Sequence, residues 1–284
     1  MRRRTVVAAA LAGAALAALG LWWAIPTAGS RLEEARGLAL EGKHPEAAAA
    51  YRAVLGSLDA TDPSVRAERV VALARLGDLL YLHVGEPAAA ADAYRRLILE
   101  APTHRESWAA REKLADIARR HLGDLHEAVA HEQALAASGQ TGADRFGYRA
   151  AKGYLELRDH EQCRREARAL VDADPHGEWA DDALFLIATA WQLQGRHAEA
   201  IETFRELCTR FPGTEMAARA LHGIGGEQVA LGQLEAALGT YLEVLPVHPD
   251  PARVQPDIAR VRRLIAEARR AKELEGGREA HLER

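Results

Sequence analysis

Five side chains between residues 121 and 132 are of the types that hold metal ions: His121, His126, Glu127, His131 and Glu132. A helical zinc site needs two histidines four residues apart, so that both imidazoles face one ion. Here His121, His126 and His131 recur every five residues, which turns successive rings about 140° apart around a helix. The stretch therefore reads as exposed polar positions, and no metal is expected. Gly223, Gly225 and Gly226 are the nearest approach to a phosphate loop. They lie inside a helical apolar pattern rather than after a strand, so they read as points of close helix packing. No Gly-x-Ser-x-Gly elbow is present, and the carboxylates are scattered over helix faces without apolar surroundings. Cys163 and Cys208 are too few for a disulfide framework or a four-ligand zinc site. Both read as small buried hydrophobes, with a single bridge left open if the domain lies outside the cytoplasm. No catalytic residue, cofactor or metal is expected, and the chain reads as a non-enzyme.

The elements that would position any functional side chain are helical. Aromatic residues make up only 5% of the 284, and alanine, leucine, arginine and glutamate are abundant, which favours close-packed helices. The formal net charge of −4 offers no argument for nucleic acid as a partner. One pattern is written twice, 37 residues apart. Its first copy is Leu184, Ile187, Ala188 and Trp191, then Gly195, Ala200, Phe204, Leu207 and Pro212. Its second is Leu221, Ile224 and Gly225, then Gly232, Ala237, Tyr241, Val244 and Pro249. Apolar steps of three and four describe one face of a helix. Glycine ends it through the left-handed conformation, and proline stops the helix that follows.

This arrangement resembles the tetratricopeptide repeat, a helix–turn–helix unit of about 34 residues. The resemblance implies an all-α fold, a right-handed α-solenoid of about six helix pairs spanning 30–251. The pairs fall at about 30–61, 64–104, 105–142, 144–177, 181–214 and 218–251. Several positions depart from the pattern: Asp78 and Asp116 occupy small positions of first helices, Arg119 and Glu132 aromatic positions, Arg158 a turn glycine and Ala167 a second aromatic. Ser30 is placed to cap the first helix. Ile258, Val261, Ile265, Ala268 and Leu274 form the apolar stripe of a capping helix at 256–274, with a basic outer face. A disordered tail is expected at 275–284.

The N-terminus adds a membrane element. Arg2, Arg3 and Arg4 end a basic stretch at 1–4, and residues 5–25 carry no charge. As a helix this segment spans roughly 30 Å, the hydrocarbon thickness of a bilayer. The arginines favour the cytoplasmic side. The expectation is a single-pass inner-membrane anchor with the repeats in the periplasm; the alternative is a cleaved signal peptide and a free periplasmic domain.

The resemblance also implies where partners bind, because first-helix positions line a groove in such domains. By register these are Arg36, Arg75, His83, Lys113, Arg120, His121, Arg145, Tyr148, Lys152, Phe185, Gln192, Arg219 and His222. Acidic entries are few, Glu156 and Asp182 among them, so a basic groove suited to acidic peptide segments is expected. The chain has no asparagine, so the lysine–asparagine carboxylate clamp of some relatives is not implied. Phe204 with Phe211-Pro212-Gly213 resembles bacterial cell-envelope members. The functional expectation is a membrane-tethered periplasmic scaffold for envelope assembly or maturation. A self-assembling structural solenoid, a homo-oligomer, is the alternative, and an enzyme with a helical-repeat body a third reading.

Overall fold

The computed structural model describes the backbone of residues 27–282 and the side chains as far as residue 275. The expected anchor at 5–25 and the basic stretch before it lie outside the described residues. Among the described residues no helix is long and apolar enough to cross a membrane.

All regular structure among the described residues is helical, in two compact units that divide after Asp124. The first holds α1 (Ala28–Leu40), α2 (His44–Ser57), α3 (Arg66–Leu79), α4 (Pro87–Glu100) and α5 (Arg105–Ile117). The second holds α6 (Leu125–Ala136), α7 (Asp144–Glu156), α8 (His160–Ala173), α9 (Ala180–Leu193) and α10 (His197–Arg210). It continues with α11 (Glu215–Ala230), α12 (Leu234–Val244) and α13 (Pro251–Leu282). Within each unit consecutive helices pack on one another. First helices of successive pairs also touch, α1 with α3 and α3 with α5, α7 with α9 and α9 with α11. Each unit thus has a face built from first helices alone.

The turns inside the pairs share one backbone device. Gly42, Gly85, Gly123, Arg158, Gly195 and Gly232 all have φ between 62° and 77°. Glycine takes this region freely; Arg158 takes it against the cost of its Cβ. The spacing from the small first-helix residue to this turn then separates the pairs. It is seven residues from Ala35, Ala151, Ala188 and Gly225, and eight from Gly77 and Ala115. The extra residue is held in two π-helical turns, Leu80–Val84 after α3 and Ala118–Leu122 after α5. The Glu86 amide donates to the Leu80 carbonyl at 2.8 Å and that of Asp124 to Ala118 at 2.9 Å, six residues back. In the ordinary turns the matching bond reaches five back, as from Arg196 to Trp191.

This insertion corrects the register expected at two places. The small residues are Gly77 and Ala115, not Asp78 and Asp116. A Cβ on Gly77 would stand 2.5 Å from Cε1 of Tyr94, just as one on Gly225 would stand 2.5 Å from Cε1 of Tyr241. Asp78, one residue on, accepts a hydrogen bond from the Tyr94 hydroxyl at 2.7 Å. Burial, with that acceptor second, pushes the Tyr94 phenol far above its usual range.

Buried charges hold the layers where apolar contacts end. The guanidinium of Arg69 on α3 donates to both oxygens of Glu100 on α4, at 2.8 and 2.6 Å, and to the carbonyls of Leu55 and Leu58 at 3.1 and 2.7 Å. Glu132 of α6 is fully buried and receives Nε and Nη2 of Arg149 on α7, each at 2.9 Å. It was expected among exposed positions. It is buried at the aromatic position that the repeat register also gave it, and the ion pair meets its charge.

The two ends also differ from expectation. Thr27, not Ser30, caps α1, accepting the Ser30 amide at 3.2 Å. The last helix starts at Pro251, passes through Pro256 and continues to Leu282. Val254, Ile258, Val261 and Ile265 are buried against the preceding pair, whereas Leu274 is 71% exposed. The eleven residues of α12 are too short to cover the stripe beyond Ile265. Residues 275–282, expected to be disordered, extend the same helix, since each added residue of a nucleated helix gains a hydrogen bond.

Candidate functional site

Two large cavities open on the first-helix faces, one in each unit. That of the second unit encloses about 720 Å³ and is framed by α9, α11 and α13. Its architecture follows from the 37-residue period, which puts Tyr148, Phe185 and His222 at one position of α7, α9 and α11. Each ring is braced by another: Tyr148 stacks on Trp179 at 4.9 Å, Phe185 lies 5.4 Å from Phe204, and His222 lies 5.4 Å from Tyr241. Gly223 lets the Phe204 ring close on the α11 backbone, where a Cβ would stand 2.8 Å from it, and Gly226 lines the cavity beside the Tyr241 hydroxyl. The wall opposite is α13, whose Asp257 meets Nε2 of His222 at 2.9 Å. Arg260, one turn further, lines the cavity and makes no ion pair among the described residues.

On α11, facing α9 and the start of α10, Glu227 is nearly fully buried. Its carboxylate accepts from the Gln192 amide at 2.6 Å and lies 2.6 Å from Nδ1 of His197. Gln192 thus lines the cavity while its amide is already engaged. Asp182 shows the electrostatics of the same face. Burial first, and then Asp181, raises its pKa, while Arg219 and Lys152 pull it down. Carboxylates in apolar surroundings are therefore present, contrary to the expectation from sequence.

The cavity of the first unit, about 740 Å³, is lined by Arg36, Arg75 and His83 as the register expected. Its charges are matched locally. Arg36 lies 3.7 Å from Glu33 and Arg75 lies 3.9 Å from Asp78, and Asp78 also pairs with Lys113. The His83 ring stacks on that of His44 at 4.2 Å. Beside these exposed ion pairs stand apolar side chains open to solvent: Leu40 is 81% exposed, Leu82 63% and Val71 46%, and all three line the cavity.

Of the expected groove residues, seven fall in the two cavities: Arg36, Arg75 and His83 in one, Phe185, Gln192, Arg219 and His222 in the other. Lys113 is held by Asp78 beside the Tyr94 ring. Arg145 lies over the Phe146 ring at 4.4 Å, and Tyr148 is occupied by Trp179. Arg120 is exposed on the second π turn, where His121 meets Tyr81 edge-on at 5.7 Å, and Lys152 is exposed on α7. Sequence reading missed Leu40, Val71 and Leu82, and it assigned Arg260 to a solvated face. The period alone could have exposed Leu82, because the extra residue before Gly85 is countable. Burial pushes the Cys163 thiol up to about 12 and raises that of Cys208; neither forms a disulfide. Among the described residues no group of three or more metal-ligating side chains is placed to share an ion.

Residues 79–143 and 148–214 each match the tetratricopeptide repeat family model. These two segments carry tetratricopeptide repeats. The matched segments hold α4 to α6 and α8 to α10 whole and α7 from residue 148, and the spacings described above extend the pattern on both sides. Among solved structures, the chain is similar to one described as Naa15/Naa10 bound to HypK-THB, at 14% identity and a TM-score of 0.66. That match covers 88% of this chain and 36% of the other, and it speaks for the helical-repeat fold alone. YrrB, described as a tetratricopeptide-repeat protein with an unusual peptide-binding site, aligns at 15% identity and a TM-score of 0.49. It is covered over 95% of its length, against 68% of this chain. MamA aligns at 17% identity and a TM-score of 0.47, over 60% of this chain and 93% of its own. No curated protein matches the sequence.

Proposed function

We propose that this tetratricopeptide-repeat protein is a non-catalytic scaffold that captures peptide segments of partner proteins in its first-helix cavities. The observation that carries the reading is the second-unit cavity. Braced rings at a repeating position and the Arg260 guanidinium, in a lining of mixed aromatic and polar side chains that also holds Arg219 and Arg253, suit an extended acidic segment. We place the scaffold in the periplasm, tethered to the inner membrane by residues 5–25 and serving envelope assembly or maturation. Support for that placement is the basic stretch at 1–4 and the uncharged run that follows it.

Crosslinking pull-down from native membranes tests both parts, using full-length protein and an Arg219→Glu/Arg260→Glu variant. Partners captured by the former and lost with the latter are expected. Equal recovery by both would remove the cavity from the account, and recovery only from the cytoplasmic fraction would remove the tether. A second reading, self-assembly into a homo-oligomer, draws on the exposed Leu40, Val71 and Leu82. Light scattering against concentration distinguishes it, since only self-assembly makes the mass of the purified protein rise.

A further inference from the structure

The second unit holds a smaller cavity, about 290 Å³, lined by α8, the first turn of α7, the end of α6 and the loops before α7 and after α8, apart from the first-helix cavity. One small residue marks the place: Leu184 and Leu221 in the later pairs correspond to Gly147 here. Gly147 at the start of α7 forms the floor, with Leu170 of α8 close above it, and Trp179 stands at the side. The walls are otherwise alanine.

The rim is of one sign. Asp144, Glu166 and Asp174 line the opening, and no lysine or arginine does. Each carboxylate is fixed by a neutral donor: the Arg145 amide at 2.9 Å, the Gln133 side chain at 2.6 Å and the His176 amide at 3.2 Å. Among the described residues none of the three takes part in an ion pair. An apolar recess ringed by fixed, unneutralised negative charge is complementary to an apolar side chain with cations on both sides.

We propose that this recess binds a cationic segment of a partner protein. One leucine- or phenylalanine-sized side chain enters over Gly147 and Leu170, and flanking lysines or arginines meet Asp144, Glu166 and Asp174. The site is separate from the first-helix cavities, takes the opposite charge, and stands whether or not they bind peptides.

The test uses the full-length protein and a fluorescein-labelled Lys-Arg-Leu-Arg-Lys peptide, read by fluorescence polarisation. A peptide with serine in place of leucine is the first control. Ala169→Phe fills the recess from an exposed edge without changing charge. Asp144→Asn/Glu166→Gln/Asp174→Asn removes the charge while keeping each acceptor oxygen. Melting curves accompany both variants, and Ala173→Phe replaces Ala169→Phe should the latter melt early. Saturable binding of the leucine peptide is expected. It should weaken by about tenfold or more for the serine peptide and for each variant. Between about 50 and 300 mM salt, affinity should fall for the native protein and stay nearly level for the neutralised one. Equal binding of the two peptides, binding unmoved by a folded recess-filling variant, or no saturable binding at all would overturn the proposal.

Discussion

Replacing Arg69 with alanine should unfold the first unit far more easily than any surface change. Arg69 is buried and makes four hydrogen bonds, two to Glu100 and two to carbonyls at the end of α2. Removing one member of a buried ion pair costs about 3–5 kcal/mol, because the other charge is left without a partner. Glu100 keeps 18% of its side chain exposed and retains Arg96 at 3.9 Å, which points to the lower end, about 3 kcal/mol. For a unit of roughly a hundred residues, that loss lowers the melting temperature by roughly 12–20 °C. Urea titration followed by circular dichroism measures it, with the two units allowed separate transitions. Because the pair is buried, the loss should change little between low and high salt. A double substitution, Arg69→Met/Glu100→Met, should recover most of the stability, since apolar replacement of a buried pair is close to neutral. A loss below about 1 kcal/mol for Arg69→Ala, or a double variant as unstable as the single, would refute the reasoning.

Three further outcomes are expected. Gly225→Ala forces a methyl group into the Tyr241 ring, which stands 2.5 Å from the new carbon; overpacking of this kind costs about 1–3 kcal/mol. Tyr241→Leu in the same chain should return part of it, and an unchanged thermal midpoint for the single variant would count against the contact. Asp182 binds its proton more tightly folded than unfolded, because burial raises its pKa. Its contribution is therefore favourable in acid, below the unfolded value, and is lost as pH rises through the folded one. Asp182→Asn should flatten that part of the stability–pH curve, while an identical slope in both proteins would sink the assignment. Cys208, half-buried, should react with a thiol reagent before Cys163, whose pKa of about 12 and full burial leave almost no thiolate; equal rates for the two in native protein would contradict this.

The repeat pattern was legible because its marks are covalent facts: small residues, turn glycines and ring positions at fixed counts. What escaped reading depends on what sits across a layer. Glu132 looked solvated because Arg149 approaches from the next helix, seventeen residues on. The basic groove shrank because acids stand one turn from Arg36 and Arg75, and Asp78 reaches Lys113 from a neighbouring first helix. The stripe of α13 was read as apolar to Leu274, but an apolar stripe is buried only as far as its neighbour extends, and α12 ends first. Arg158 was noted where glycine belongs, yet only the φ of 62° shows that the turn keeps its shape regardless.

The π turns after α3 and α5 bear on how such a surface can diversify. A residue gained within a helix normally turns everything beyond it by about 100°. Here the longer loop-back bonds of Glu86 and Asp124 absorb the gain before the turn glycine, so the second helix continues undisturbed. Only the last turn of the first helix is rephased, and it is this turn that carries Leu82 and His83 into the first-unit cavity. A single-codon insertion can thus exchange the chemistry offered to a ligand while the packed layers behind it stay as they were. Specificity and architecture in this chain are therefore free to drift on separate clocks.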